Sequence, residues 1–392
     1  MKKLFFLAAG LFAISGCSKD TTEDFSKETA VISNYADIVY ASYQDALTQA
    51  KAMQTAIVTL TSTPSQANLT AARQAWLAAR TPYGQTEAYR FYNGPIDNDK
   101  TGVEGEINSW PLDEAQIDYV SGDANAGMIN QLAKYPAITK ETIQGADQKD
   151  GETDVKTGYH AIEFLLWGQD LSASGPGNRP YTDFVKGSGG TAKNQDRRSA
   201  YLLAVTELLI EDLQTVVDAW KPGDASNYRA SFTASANRET ALSNIFIGMG
   251  RLCKGELSGE RMTVAVNSQD QEDEHSCFSD NTHNDLILNQ KGIVNVFLGR
   301  YTRTDGTVID GMGLDDLVKL RNATSANDAV SKLDASTALI AKIQPPFDQE
   351  ILSEAGRTRI KAAITALRAE ADALTAAAKA LGLNLTFPEN NG

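Results

Sequence analysis

The chain has 392 residues, with 50 acidic and 36 basic side chains, and carries a formal charge of −14. This acidity argues against a nucleic-acid partner, because the phosphates would be repelled. A composition with 42% apolar residues can fill hydrophobic cores, which excludes wholesale disorder. The chain contains only 11 prolines and has several alanine-rich stretches, a composition typical of a helical protein.

The first residues have the pattern of a bacterial export signal. Lys2 and Lys3 precede an apolar run that is too short to cross a bilayer, and Cys17 follows it. The residues around Cys17 resemble the lipoprotein box, in which the cysteine is lipidated. We therefore predict a signal peptide at 1–16, lipidation of Cys17 and a polar tether at 17–28, with a buried first helix as the alternative. The predicted location is the outer membrane, facing the periplasm or the cell surface, with the lipid as the membrane anchor.

The first half of the chain has a helical pattern interrupted by long loops. Apolar residues recur every three to four positions from Val31 to about Leu60, which predicts a long first helix. Thr63 followed by Pro64 predicts the start of a second helix that runs to Pro82. Residues 93–127 are rich in Gly, Asp and Asn and indicate an irregular excursion.

Two further helices complete the predicted N-terminal unit. A short one covers 158–168, and after a loop at 172–193 a strongly periodic one runs through Tyr201 to Trp220. The turn sequence at 221–224 ends that helix, and we place a domain boundary there.

The second half repeats this design. It predicts a helix over 240–266, an acidic loop at 268–285, a helix over 285–298 and a final helix with apolar residues from Ile360 to Leu381. No segment alternates persuasively enough to indicate a β-strand. The predicted fold is all-α, with two tandem helical-bundle domains of weakly similar design at 29–222 and 223–392.

Histidine is scarce, and His160 shares a predicted helix face with Glu163. An ionised Glu on an apolar face is costly unless it meets a cation, a metal or several donors, so the pair indicates a partner from elsewhere in the fold. A buried hydrogen bond between the two side chains is the structural alternative. The spacing excludes the usual zinc-peptidase helix, since no second histidine lies four residues away and Phe164 follows Glu163.

The other two histidines lie in an acidic stretch at 272–285. It contains five acidic side chains and two histidines, all ligands for hard or borderline cations, although a solvated acidic loop explains the pattern equally well. Cys253 and Cys277 could form one disulfide, or each could be a small buried apolar residue.

At these residues the sequence resembles the imelysin family, and within it the iron-regulated protein A-like members. Gly158, His160 and Glu163 match the family's G-x-H-x-x-E motif, and residues 83–91, 255–262 and 275–280 are also similar to that subfamily. The resemblance covers nearly the whole mature chain. It implies two helical-bundle domains with the motif near their interface and an association with iron uptake. The family is also catalogued among metallopeptidases.

One helix supplies too few ligands for a metal ion, so the remaining donors must come from elsewhere, and the acidic stretch is the richest source. We predict a divalent-metal site (iron, zinc or calcium) between the two halves, formed by four side chains: His160, Glu163, His275 and Asp280. If the two halves do not meet at this site, the next hypothesis is a site in which arginine side chains bind an anion or a substrate. The remaining site candidates are Gly158, Glu87, Arg90, Glu256, Arg261 and Ser276.

Three functions remain open at this point. The first is a membrane-anchored lipoprotein that binds a metal ion or an iron-related ligand, and the second is a metallopeptidase that uses His160 and Glu163. The third is a binding module for a partner protein or a cell-wall component.

Overall fold

The computed structural model describes residues 24–172 and 174–389, and these form an almost entirely helical molecule. The predicted signal peptide, Cys17 and most of the predicted tether lie outside the described residues. Over the described part of the chain, no helix has the length and apolar character needed to cross a membrane. Among the described residues, the first half contains eight α-helices: α1 (Ser26–Ser62), α2 (Gln66–Thr86), α3 (Glu104–Asn108), α4 (Gly127–Asn130), α5 (Lys140–Gln144), α6 (Gly158–Trp167), α7 (Gln195–Trp220) and α8 (Tyr228–Phe232).

The second half contains seven α-helices, a π-helical segment and a small hairpin. In chain order they are α9 (Arg238–Arg251), the π-helical segment (Leu252–Thr263), α10 (Val264–Ser268), α11 (Thr282–Phe297), β1 (Arg300–Thr302), β2 (Val308–Asp310), α12 (Leu314–Arg321), α13 (Ala323–Ile340), α14 (Phe347–Leu352) and α15 (Glu354–Ala380). β1 and β2 pair antiparallel, with Tyr301 opposite Ile309. The expectation of a strand-free chain is therefore wrong at this hairpin, whose strands are too short to give a clear alternating pattern.

The predicted long helices are confirmed, with corrected ends. α1 already begins at Ser26, so the last residues of the predicted tether are helical. α2 begins later than predicted, because the side chain of Ser65 caps it by accepting a hydrogen bond from the Asn68 amide at 3.2 Å. α2 also continues four residues past Pro82, which lies inside the helix.

Residues 93–127 are largely irregular, as predicted, apart from the short α3, and irregular chain interrupted by α4 and α5 continues from there to α6 at Gly158. Gly158 has a φ of +77°, and a Cβ built there would lie 2.3 Å from the carbonyl oxygen of Ile107, which belongs to α3. Only glycine allows both the positive φ and this close backbone approach without strain. Gly158 therefore sets the distance between α6 and α3.

The helix predicted over 240–266 is one continuous helix with three consecutive parts. α9 passes into the π-helical segment and then into α10. Segments of π-helix are rare and often occur at functional sites. Sequence analysis did not predict α12, α13 or α14, whereas α15 is confirmed.

The two halves of the chain pack directly on each other. α2 contacts α11, and α1 contacts α9 and α12 as well as its neighbours α2 and α7. Buried apolar residues from both halves form one continuous cluster. The predicted boundary at 222/223 falls in the turn between α7 and α8.

Candidate functional site

α6 carries His160 and Glu163 on one face, as the three-residue spacing predicts. Neither side chain is exposed to solvent, and His160 Nδ1 lies 2.9 Å from Glu163 Oε2. His160 Nε2 is also buried and has no hydrogen-bond partner. A buried polar atom without a partner is costly, so this nitrogen is the feature of the pair that structural packing does not explain.

The acidic stretch supplies the partner that Glu163 requires. The backbone amide and the hydroxyl of Ser279 both donate to Glu163 Oε1, at 3.0 and 2.6 Å. Ser279 of the second half therefore contacts α6 of the first half at Glu163. The stretch reaches Glu163 through Ser279 and reaches His160 through His275, whose ring centroid lies 4.8 Å from that of His160.

His275 is held in the same manner as His160. Its Nδ1 lies 3.0 Å from Asp285 Oδ2, and the hydroxyl of Ser276 donates to the same carboxylate oxygen at 2.5 Å. Asp285, at the start of α11, also forms an ion pair with Arg80 of α2 at 3.2 Å. Ser276 thus has a defined role as a support for Asp285.

Two serine–carboxylate–histidine chains therefore converge. The first consists of Ser279, Glu163 and His160, and the second of Ser276, Asp285 and His275. In each chain a carboxylate engages Nδ1, an arrangement that fixes the ring orientation of metal-bound histidines and leaves Nε2 for the ligand. The planes of the two imidazole rings are inclined by 76°.

The two carboxyl groups differ in charge. Burial raises the pKa of Glu163 to about 8, although the hydrogen bonds from Ser279 oppose the shift. Burial also acts on Asp285, but Arg80 and His275 outweigh it and hold the pKa of Asp285 well below its ordinary value. Among the described residues, Glu163 has no comparable arginine partner, and its one ion-pair contact is with His160.

Both imidazoles are neutral at neutral pH. Burial lowers the pKa of His160 well below its ordinary value, and the nearby His275 and Arg80 add to the effect. Burial and Arg261 lower the pKa of His275 to about 4. Neutral imidazole is the form that binds metal ions or accepts a proton.

A buried ion network borders His275. Glu87 accepts from Arg90 at 2.7 Å and from Arg261 at 3.0 Å, and Arg261 also pairs with Glu256 at 3.2 Å. Although burial opposes it, the two arginines lower the pKa of Glu87 to about 2. All four side chains had been singled out as site candidates, and the structure brings them together.

Asn108, at the end of α3, links this network to the histidines. Its amide nitrogen lies 3.3 Å from Glu87 Oε1 and 3.5 Å from His275 Nε2, and its oxygen accepts from Arg80. Arg261 and Glu256 come from the π-helical segment, where Arg261 also donates to Asn289 of α11. The segment therefore joins the network to both neighbouring helices.

A cleft of about 880 Å³ leads to this region, and His275 and Arg261 lie in its lining. Its other charged lining residues are all acidic: Glu152, Glu256, Glu260 and Asp273. Four carboxylates against one guanidinium give the cleft a negative balance, which attracts cations.

Asp280 does not join His160, Glu163 and His275. It is half-buried, and burial together with the charges of Asp348 and Asp170 raises its pKa to about 7. It follows Ser279 in the chain and has a φ of +57°. The hydroxyl and amide of Ser279 reach Glu163, whereas the carboxyl of Asp280 belongs to a separate acidic group.

Within residues 24–172 and 174–389, no three His, Cys, Asp or Glu side chains are grouped so that they could hold a metal ion. The four predicted ligands are thus not assembled as one set in this structure. Both Glu163 oxygens are engaged, one by Ser279 and one by His160. The donors that fit a metal are therefore the two imidazole nitrogens, and other ligands would have to come with the ion.

The two described cysteines are free and buried, so the Cys253–Cys277 disulfide does not form. The thiol of Cys253 donates to the carbonyl oxygen of Leu367 on α15 at 3.0 Å. Burial raises the pKa of both thiols well above the ordinary value. The alternative of small buried residues is confirmed.

Sequence reasoning missed Asp285, Ser279, Asn108 and Trp110 as site residues. Asp285 and Ser279 lie inside the acidic stretch, but the sequence gives no sign of which of its residues face α6. Asn108 and Trp110 come from the irregular excursion, where no periodicity indicates a direction.

Comparisons with known proteins agree with this architecture. A family model described as Imelysin (Peptidase_M75) matches residues 39–374. The chain is 24% identical over 344 residues to iron-regulated protein A of Synechococcus elongatus, and the match covers 86% of this chain and 82% of that protein.

Two solved structures have the same fold. A protein described as an iron-regulated protein A precursor from Parabacteroides distasonis superposes with a TM-score of 0.69 and 21% identity, covering 92% of this chain and 97% of that one. An imelysin-like protein from Psychrobacter arcticum 273-4 superposes with a TM-score of 0.63 and 14% identity, covering 93% and 98%. Because the family model spans most of the sequence, the chain belongs to the imelysin family.

Proposed function

We propose that this protein binds a transition-metal ion through His160 Nε2 and His275 Nε2, as part of an iron-related function in the cell envelope. The observation that carries the proposal is the buried, unpartnered His160 Nε2, in a ring 4.8 Å from that of His275. Each histidine has its Nδ1 engaged by a carboxylate. Imidazole donors suit iron, zinc, copper and nickel better than calcium or magnesium.

The surroundings support a cation rather than an anion. The cleft carries four carboxylates against the one guanidinium of Arg261, and that guanidinium is already paired with Glu87 and Glu256. A free anion would therefore find no unpaired arginine in the cleft lining, whereas a hydrated cation would be attracted. Water or a small chelator that arrives with the ion would complete its coordination.

In this proposal Glu163 and Asp285 orient the histidines and do not bind the ion. Carboxylates that engage the distal nitrogen of a metal-bound histidine fix the tautomer and raise the basicity of the ligand. Sequence analysis predicted Glu163 as a metal ligand, so this orienting role differs from the prediction. Asp285 is a residue that sequence analysis did not select.

Cys17 is proposed as the lipid attachment point that holds the protein at the outer membrane. It precedes the first residue of α1 by nine positions. An extended chain of that length spans at most roughly 30 Å, so the start of α1 would lie close to the membrane surface. The proposal names no partner other than the membrane and the metal ion.

The metallopeptidase alternative has less support. Such an enzyme needs a metal-bound water and a carboxylate or histidine free to act as a general base. Both oxygens of Glu163, the nearest carboxyl, are already hydrogen-bonded, one by the amide and hydroxyl of Ser279 and the other with the His160 ring.

Calorimetric titration of the full chain with Co²⁺, a redox-stable probe for iron(II) sites, tests the metal proposal. We expect His160→Ala and His275→Ala each to weaken binding by at least about tenfold. His283→Ala is the matched control, because His283 is the remaining histidine of the chain and belongs to neither serine–carboxylate–histidine chain. Binding that survives both substitutions, or that is lost only in His283→Ala, would exclude this site.

A further inference from the structure

The two histidines differ in their accessibility from the cleft. His275 lies in the lining of the cleft and is 4% exposed, whereas His160 does not line the cleft and is 0% exposed. Trp110 lines the same cleft and is half-buried. Its ring centroid lies 5.0 Å from that of His160, with the planes inclined by 58°. The indole therefore contacts both His160 and the open volume of the cleft.

Two features hold the indole in position. Its ring also packs edge-on against Phe278, at 5.7 Å, and Phe278 comes from the acidic stretch that carries His275 and Ser279. Asn108, two residues before Trp110, is bound to Glu87 and Arg80. The indole thus connects the irregular excursion of the first half to the loop of the second half.

We propose that Trp110 controls access to His160 Nε2, so that a molecule entering the cleft meets His275 first and reaches His160 only when the indole moves aside. Trp110 acts through its position over His160 and is not itself a ligand. The consequence for metal binding rests on the proposed function, but the shielding itself can be measured without any metal.

Chemical modification measures the shielding directly. Diethyl pyrocarbonate reacts with unprotonated imidazole nitrogens, the form that predominates for an ordinary histidine at pH 7. In the wild-type protein we expect His283, which is half-buried, to react fastest and His160 slowest. Peptide mass spectrometry gives the rate at each histidine separately.

Two variants isolate the indole. Trp110→Ala is expected to raise the modification rate of His160 at least about tenfold and to leave the rate of His283 within about twofold. Trp110→Phe retains an aromatic ring over His160 and is expected to keep the rate low. An unchanged His160 rate in Trp110→Ala would overturn the proposal. An equal rise at His283 would do so as well, because it would show general loosening of the fold.

Stopped-flow mixing with Co²⁺ then tests the consequence for binding. Trp110→Ala is expected to accelerate association and dissociation at least about tenfold while the dissociation constant stays within about threefold. A wild-type protein that binds no Co²⁺ would refute the proposed function, and the modification rates would still decide the role of Trp110. Wild-type association rates retained in Trp110→Ala would refute gating and leave the metal site intact.

Discussion

Glu370 is a carboxyl group whose charged form the fold disfavours, and replacing it by glutamine should stabilise the protein at and above neutral pH. It lies in the middle of α15 with no exposure to solvent, and Gln290 of α11 donates to its Oε2 at 2.9 Å. Ser336 of α13 and Cys253 of the π-helical segment face the same carboxyl. No arginine, lysine or histidine is paired with it among the described residues. Burial raises its pKa from 4.5 to about 7.

The magnitude follows from these two pKa values. Between pH 4.5 and 7 the unfolded chain releases the Glu370 proton and the folded chain retains it, so the free energy of unfolding falls as pH rises. One pKa unit corresponds to about 1.4 kcal/mol, so the loss reaches about 3 kcal/mol above pH 7. Glu370→Gln removes this loss. The variant should match the wild type near pH 4.5 and be more stable by about 2–3 kcal/mol at pH 8.

Urea unfolding followed by circular dichroism, from pH 4.5 to pH 8, measures both proteins. The matched control is Asp372→Asn on the same helix, a change from carboxyl to amide in a side chain that is 78% exposed. Other buried carboxyls, such as Glu163, titrate equally in wild type and variant and cancel in the difference. A Glu370→Gln protein that is less stable than wild type at pH 8, or a difference that does not vary with pH, would refute the reasoning.

Three further outcomes are expected. Gly158→Ala should lower the free energy of unfolding by more than about 2 kcal/mol in urea titrations, because its Cβ would lie 2.3 Å from a carbonyl oxygen at a φ of +77°; a loss under about 0.5 kcal/mol would contradict this. Cys17→Ala should move the protein from the membrane fraction to the soluble fraction and remove lipid from its mass spectrum; retained lipid would disprove the attachment point. Metal-loaded wild-type protein should not cleave an unstructured substrate, and cleavage that disappears in Glu163→Gln would reverse our ranking of metal binding over proteolysis.

The sequence was most informative where physical constraints act locally. The apolar period of α1 and α15 predicted both helices because each packs one face on the core. The π-helical segment was missed because the sequence analysis treated 240–266 as one regular α-helix. The hairpin at Arg300–Thr302 has three-residue strands, too few for alternation to appear.

The sequence indicated which segments contribute to the site, namely α6 and the acidic stretch, but not which side chains are in contact. The sequence indicated that a buried Glu163 needs a partner, and Ser279 of the acidic stretch donates to it. Asp280 was predicted as a metal ligand beside Glu163, but its neighbour Ser279 is the residue that contacts Glu163. Which of two adjacent residues faces α6 depends on backbone direction in a loop, and Asp280 has a positive φ that no composition rule predicts. Asp285 was missed for a similar reason, since its role depends on where α11 begins.

The two serine–carboxylate–histidine chains have the same connectivity, but they are not electrically equivalent. Asp285 is ionised because Arg80 lies 3.2 Å away, so His275 is already oriented with a proton on Nδ1 and a lone pair on Nε2. Glu163 has no such cation, and burial favours its neutral form, whose proton points toward His160 Nδ1. In that state His160 Nε2 carries a proton and cannot bind a metal. A cation at His160 would favour ionised Glu163 with the proton on Nδ1, and one proton would leave the site. In the proposed metal site, His275 would therefore be the preorganised ligand and His160 the one that binding must convert, the same order in which the cleft exposes them.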